Sequence, residues 1–430
     1  MQALLSLSVA LLAGLMLSRL AKLVKLPAVT AYLVAGILVG PYVLGQFHWS
    51  AANIHLGFDS MKDIETYGLL SEVALGFIAF AIGNEFRLAS LKKTGRQATV
   101  IGIIQAVFAT LLVDAALIGL HFLMPDVLPL PAAIVLGAVA SATAPAATLM
   151  VVRQYKAKGP LTDILLPIVA LDDAVGLVVF AVSFGVAKAL IHGEVHLLSV
   201  VLEPILEVVG SLVLGALMGF LFHFCERFFH SRSKRMAMSV AFVLLTVSLS
   251  MVEFTVGGVH VAFSSLLVCM MMGTVFCNVC DFSEELMDRV ERWSTPLLVL
   301  FFVISGAELE LSVFTSGAIV LVGVVYILFR SCGKYFGARL SAQAVKCDPP
   351  IVKFLGITLL PQAGVALGMA IKAEAGLGEV GHMVANITLF SVLIYELVGP
   401  FLTKIALQKA GEIRPEGKVS ARGKKDVLGQ

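Results

Sequence analysis

Charge is the scarcest resource in this chain. Asp, Glu, Lys and Arg make up 14% of its 430 residues against 59% hydrophobic residues, and the mean hydropathy is +0.96. A soluble globular domain carries about 25% charged residues to face water, so that class is excluded and an all-α polytopic membrane protein is implied. The net charge of +2 gives no grounds for a nucleic-acid partner; the partner is a lipid bilayer. Cysteine is sparse too: six residues, at 225, 269, 277, 280, 332 and 347, form no disulfide framework. The CNVC at 277–280 lacks the second CxxC that a transition-metal site needs, so it reads as structural. The first apolar run, Leu4 to about Leu20, has no basic residue before it and no convincing cleavage site, which predicts a retained helix rather than a signal peptide. Residues 411–430 are polar and basic, and leave no room for a folded cytosolic domain.

Long apolar runs are abundant. About thirteen spans are predicted, near 2–20, 28–46, 68–88, 97–122, 130–152, 162–190, 200–225, 236–253, 259–279, 294–310, 316–340, 351–372 and 382–408. The Lys and Arg distribution agrees: 26 fall in one set of alternate segments, only Lys62, Lys188 and Lys372 in the other, and Arg330 and Lys334 inside a span. By the positive-inside rule the N-terminus is outside and the C-terminus cytoplasmic, in a cell membrane.

An internal repeat is legible as well. GNEFRL at 83–88 and GAELEL at 306–311 share G-x-E-x-x-L and end the third and tenth spans on opposite sides, as an inverted repeat requires. SATAPAAT with Pro145 and LLPQAGVALG with Pro361 then interrupt corresponding spans. This predicts halves at 1–199 (helices 1–6) and 236–410 (helices 8–13), a connector at 200–235, a tail at 411–430, and two crossed broken helices. An amphipathic stretch at 281–293, with Phe282, Leu286, Val290 and Trp293 at helical spacing, is expected to lie on the cytoplasmic interface as a connector.

The residues that stand out against this background are Asp172 and Asp173, adjacent inside LPIVALDDAVGLVVFAVSFGVA. One Asp at mid-bilayer costs about 2.5–3.5 kcal/mol on translocon scales, so a pair implies ion or proton binding. Adjacent helical residues point about 100° apart, so the two need different partners. The buried cations on offer are Arg330 and Lys334 in YILFRSCGKYFGARL; Lys334 suits a switchable partner because an ammonium can lose its proton when desolvated. The alternative for Lys334 is snorkelling to the surface, and Arg330 reads as an ion-pair former in helix packing. Freed carbonyls around Pro145 and Pro361 can coordinate a cation. Asp114, opposite Lys334 in repeat alignment, is a candidate support for a broken-helix end. Glu396 either sits well inside a span or approaches the cytoplasmic interface. Glu85 and Glu308 read as caps or exposed, and the histidines, mostly near outer loops, as ordinary.

Five motifs in order, SATAPAATLMV, ALDDAVG, FFVISGAELEL, SCGKYFGARLSA and LLPQAGVALGMA, resemble the signatures of the monovalent cation:proton antiporter superfamily over residues 1 to 408, its bacterial sodium/proton antiporters with an Asp-Asp motif in particular. The resemblance implies a thirteen-helix dimer whose core moves like an elevator, with no cofactor beyond transported Na+ and H+. It implies that Asp172 pairs with Lys334, that Asp173 coordinates Na+, and that transport is electrogenic. Many relatives place an acidic or hydroxyl residue before Pro145; Ala144 stands there, leaving Ser141 or Thr143 to substitute. PQAG, with Gln362, replaces the Arg-Glu pair of mammalian-type exchangers. Potassium/proton exchange on the same fold is the alternative, weakened by the lack of the nucleotide-binding domain of potassium-efflux relatives. An intramembrane aspartyl protease would need its two Asp residues on separate helices, and a channel would need neither repeat nor lysine.

Overall fold

A computed structural model describes residues 2–413 apart from 24–25, 47, 50–53, 56, 85, 87, 193–196, 253, 257–258, 281 and 309–316. Its sixteen described helices are α1 Gln2–Leu23, α2 Ala28–Val39, α3 Met61–Glu65, α4 Gly68–Gly83, α5 Leu88–Leu123, α6 Leu130–Val139, α7 Pro145–Gln154, α8 Pro160–His192, α9 Leu197–Glu226, α10 Arg232–Ser250, α11 Ser265–Val279, α12 Ser283–Ala307, α13 Gly317–Ala344, α14 Pro349–Thr358, α15 Gly364–Leu377 and α16 Glu379–Lys409. Helices dominate because apolar chain in lipid must satisfy every backbone N–H and C=O within itself. Two short antiparallel ribbons, His48–Trp49 with Ile54–His55 and Phe254–Val256 with Val259–Val261, lie in the α2–α3 and α10–α11 links. Among the described residues eight helices are long and apolar enough to cross a membrane; α2, α4, α6 and α11 are shorter apolar helices.

The helices pack into two groups. In the first, α1, α2 and α12 pack together, and α4 joins α12 to α11, α9 and α10. Glycine lets backbones touch here: a Cβ on Gly36 would stand 2.0 Å from the Val303 carbonyl oxygen, and one on Gly306 2.2 Å from that of Leu33. Phe80, Phe222, Phe242 and Phe276 fill the space between α4, α9, α10 and α11, with Phe222 and Phe276 stacked at 4.1 Å. The second group holds α5–α8 and α13–α16, with α5 against α13 as its most extensive contact. The groups meet where α8 packs on α9, α16 on α2, and α7 on α2 and α4.

The predicted spans at 130–152 and 351–372 are each two half-helices, α6 with α7 and α14 with α15. Sequence chemistry accounts for the breaks. Pro145 begins α7 at N1, where its missing N–H is not needed, and it holds Ala144 extended at φ −84°, ψ 102°. Pro361 lies in the segment between Thr358 and Gly364, and the two extended segments cross: the Ala144 N–H donates to the Pro361 carbonyl at 2.8 Å. The 281–293 stretch is not a separate connector. From Ser283 it forms the first turns of α12, with Leu286 and Val290 buried, and Glu291 meets Arg153 of α7 at 3.2 Å across the two groups. Neighbouring helices cover Leu286 and Val290, while Trp293 on the same face stays 43% exposed. Likewise, the 28–46 run is helical only to Val39 before a 3-10 turn at Leu44–Gln46.

Candidate functional site

Breaking two helices at one level leaves four half-helix ends with unsatisfied backbone groups, and the ends of α6 and α14 present carbonyls. Two cations from one face of α13 take them. Arg330, fully buried, donates from Nε to Ala140 O at 3.1 Å, from Nη1 to Leu360 O at 2.8 Å and from Nη2 to Ala142 O at 2.6 Å. Its guanidinium also lies over the Tyr395 ring, 4.4 Å from the centroid. This corrects its assignment as an ion-pair former: among the described residues Arg330 meets no carboxylate, because its planar fork fits three converging carbonyls. Lys334, one turn on, donates to Ser141 O, to Thr143 Oγ1 at 3.0 Å and to Asp172 Oδ2 at 2.9 Å, and it does not snorkel. Both cations offset the partial negative charge at the C-terminal ends of α6 and α14.

The Asp pair divides as helical geometry requires. Asp172 faces α5 and α13, and its carboxylate accepts from Lys334, from the Thr143 hydroxyl at 2.5 Å and from Gln105 Nε2. Asp173, 1% exposed, shares the α8 face of Leu166, Ala170 and Leu177, which pack with the first helix group. Neither of its oxygens has a hydrogen-bond partner among the described residues. The charges acting on it are Asp172 and Lys334. A buried carboxylate without partners holds its charge only against a bound cation, and otherwise takes up a proton.

Gln362 ties the crossing together: its Nε2 donates to Val139 O and Tyr326 OH, each at 2.9 Å, and its Oε1 accepts from Ser391 Oγ at 3.3 Å. Ser141 turns its hydroxyl back to Ala138 O at 2.6 Å, leaving Thr143 as the hydroxyl that reaches Asp172. Asp114 lies against the last turn of α6, where a Cβ on Gly137 would stand 1.7 Å from its Oδ1, and that oxygen has no hydrogen-bond partner among the described residues. Glu396 is inside α16, 4% exposed, and one face round from Tyr395. Glu85 and the acidic residue of GAELEL at 310 lie outside the described residues.

Sequence reasoning missed Gln105 and Tyr326. A lone Gln in the run IGIIQAVFATLL was a signal, since a buried amide needs partners. Its reach to Asp172 depends on glycines: a Cβ on Gly333 would stand 2.8 Å from Ala109 Cα, and one on Gly337 3.0 Å from Gln105 Cα, so α13 presses onto α5 and both side chains arrive at one carboxylate.

The profile of the family described as "Sodium/hydrogen exchanger, transmembrane" matches residues 7–409. The chain belongs to that family. It is thus a multi-pass membrane protein of a monovalent cation/proton antiporter family, a transporter and not an enzyme. It is 24% identical over 396 residues to the K(+)/H(+) antiporter subunit KhtU of Bacillus subtilis, covering 90% of this chain and 89% of that protein. It is also 24% identical over 386 residues to the Na(+)/H(+) antiporter NhaS4 of Synechocystis, covering 88% and 91%. Two structures of the sodium proton antiporter MjNhaP1 from Methanocaldococcus jannaschii share the fold: one at pH 8 (TM-score 0.67, 20% identity, 97% of this chain and 100% of that one) and one from electron microscopy (TM-score 0.72, 18% identity, 95% and 98%).

Proposed function

We propose that this family member is a secondary-active antiporter exchanging Na+ or Li+ for H+ across the cell membrane by alternating access. The observation that carries the reading is Asp173, a buried carboxylate with no hydrogen-bond partner among the described residues, next to a fully partnered Asp172. One proton or one Na+ brings the same single charge to Asp173, so the two ions compete for it and one replaces the other. Electrogenic transport follows if Lys334 also gives up its proton when Asp173 holds Na+: two protons then return for each sodium ion. The lysine's bond to Asp172 supports this role. A K+/H+ exchange is the second reading, favoured by the match to KhtU, whose identity equals that to NhaS4.

The architecture proposed with it is thirteen spans, N-terminus outside and C-terminus cytoplasmic, in two inverted repeats. The first half-helices end at Val139 and Thr358 and the second begin at Pro145 and Gly364, the same 219-residue offset at both edges, which supports the repeat. An elevator-like slide of the second helix group on the first, within a homodimer, fits the concentration of ion-binding residues in one group. Purified protein in liposomes tests the function: an imposed Na+ or Li+ gradient should drive counterflow of protons, K+ should do so more weakly, and Asp173→Asn should reduce the flux to the leak of empty vesicles. Robust exchange by Asp173→Asn at several pH values removes it from the binding role; flux without proton counterflow refutes antiport.

A further inference from the structure

The two aspartates of α8 are equally buried and differ in company. Asp172 accepts three hydrogen bonds, and Asp173 accepts none among the described residues. The three donors are shared unequally between the Asp172 oxygens. Oδ2 accepts from Lys334 at 2.9 Å and from the Thr143 hydroxyl at 2.5 Å, whereas Oδ1 accepts from Gln105 Nε2 alone. Gln105 is itself fully buried, and it directs both amide hydrogens at acceptors: the Gly102 carbonyl at 3.0 Å, three residues earlier in α5, and Asp172. A backbone carbonyl can only accept, so the Gly102 bond fixes which way the amide points. Its Oε1 has no hydrogen-bond partner among the described residues, and turning the amide over would set that oxygen against two acceptors. From the other side α13 presses on α5 at this residue, where a Cβ on Gly337 would stand 3.0 Å from Gln105 Cα.

This arrangement decides what becomes of Asp172 when its cation changes. A Lys334 that has lost its proton no longer offsets the carboxylate, and a buried carboxylate left without donors takes up a proton. With Gln105 and Thr143 in place each Asp172 oxygen still has one neutral donor, and hydrogen bonds to the charged form keep it charged. Take Gln105 away and Oδ1 has none. Lys334 cannot replace it, because the lysine and Thr143 both sit on Oδ2.

We propose that Gln105 is a positioning residue that holds Asp172 ionised whatever the charge on Lys334, and that it thereby sets how many protons return for each cation carried. The first half concerns the side chains alone; the second rests on the antiport reading. When the N–H bond of the Lys334 ammonium breaks, its proton has two destinations. If Asp172 takes it, the proton has only passed from nitrogen to oxygen, the pair keeps its net charge, and exchange through Asp173 is one proton for one Na+. If Asp172 is held ionised, water takes the proton, and a second one must return to the lysine in each cycle.

Lys334→Gln imitates the lysine after proton release, since it is neutral and still offers an N–H. Difference infrared spectroscopy on detergent-purified, full-length protein then reads Asp172 without reference to transport. At one fixed pH Lys334→Gln should show Asp172 as a carboxylate. Lys334→Gln combined with Gln105→Met should show a carboxylic C=O band that Asp172→Asn in the same background removes. Methionine keeps the unbranched shape of glutamine and has no N–H to donate. A protonated Asp172 in Lys334→Gln alone overturns the proposal, as does an ionised Asp172 in the double variant. In liposomes the reversal potential counts protons per Na+. The count should be two in the wild type and fall toward one in Gln105→Met, whose pH of half-maximal exchange should also move by about one to two units, the effect of one hydrogen bond to a charged group. A glutamine that only supports packing would lower the rate and leave count and pH profile alone, and that result too overturns the proposal. Should Gln105→Met fail to fold, Gln105→Glu keeps the same shape: it donates through its hydroxyl only while protonated, so the count should be that of the wild type at low pH and fall as the pH rises. Failure of the antiport reading looks different, as wild-type vesicles without coupled proton counterflow, and the infrared comparison then decides alone.

Discussion

The two helix groups solve opposite problems with the same apolar alphabet. The first, around α1, α2, α4 and α9–α12, has no buried charge among its packed spans apart from the termini of its helices, and it is held by glycine-to-backbone contacts and a phenylalanine cluster. The second buries Asp172, Asp173, Arg330 and Lys334 around two interrupted helices and spends its hydrogen bonds on compensating them. The first group has one tight arrangement, because backbone in contact with backbone leaves nothing to adjust. The second has charges whose partners can change when an ion arrives. Rigidity and responsiveness are thus separated in space, which suits the proposed slide of one group on the other.

The sharpest way to break this comparison is to remove the compensation. Arg330→Ala leaves Ala140, Ala142 and Leu360 carbonyls buried without donors, each costing about 1–3 kcal/mol. The variant should lose most of its thermal stability in detergent and its exchange activity, while Arg330→Lys, with no fork, should recover only part. An Arg330→Ala protein that melts with the wild type would show that the half-helix ends do not need the guanidinium. The effect of Lys334 should be smaller on stability and larger on charge movement. Lys334→Gln keeps a donor for Ser141 and Thr143 but removes the positive charge beside Asp172, so transport should lose its response to an imposed membrane potential and change its pH profile. Potential-sensitive exchange unchanged in this variant makes the lysine structural.

How far the sequence carried this picture differs between the groups for the same reason. The charged crossing was legible because polar residues in an apolar run are rare events: the Asp172–Asp173 pair, Lys334, Pro145 and Pro361 stand out against their apolar surroundings, and the structure brings them together. Arg330 was visible but assigned the wrong kind of partner, since a sequence does not display the carbonyls that a broken helix exposes. Gln105 was passed over because an amide carries no charge, although only the glycines at 333 and 337 bring it to the carboxylate. In the first group the apolar runs gave the helices and not their neighbours. Glycine spacing hints at close approach, but which backbone it meets is a tertiary fact. The amphipathic 281–293 stretch shows the limit plainly: its periodicity was read correctly, and its continuity with the span that follows was not.

The rigid group yields a prediction of opposite signs. A methyl group on Gly36 or Gly306 must push α2 and α12 apart, because the atoms it meets, Val303 O and Leu33 O, are backbone. Gly36→Ala and Gly306→Ala should each destabilise the protein by about 1–3 kcal/mol, as overpacking does. Gly119, in α5, has nothing within 4 Å of its would-be Cβ, and Gly119→Ala should instead stabilise by about 0.5–1 kcal/mol through helix entropy. Thermal unfolding of the three variants side by side distinguishes packing from propensity. Equal shifts of one sign would erase the distinction drawn here between touching and free glycines.

The smallest effect sits where the responsive group is tied at its edge. Glu412, just past α16 and 6% exposed, reaches the first turn of α8, the helix of the Asp pair: its carboxylate accepts from the Leu161 N–H at 2.6 Å, the Thr162 N–H at 2.8 Å and the Thr162 hydroxyl at 2.6 Å. Gly159 makes room, since a Cβ there would meet the carboxylate at 2.6 Å. An anion at this place satisfies orphan amides and complements the positive end of the helix dipole, so Glu412→Ala should cost about 0.5–2 kcal/mol, the range of a lost N-cap. Hydrogen exchange should quicken at Leu161 and Thr162 and stay unchanged at the Asp pair three turns further along, because capping acts over the first turn only. Exchange that quickens as far as Asp172 would mean that the end of α16 holds the whole of α8 in place, and that the tie is part of the ion site rather than a clasp at its edge.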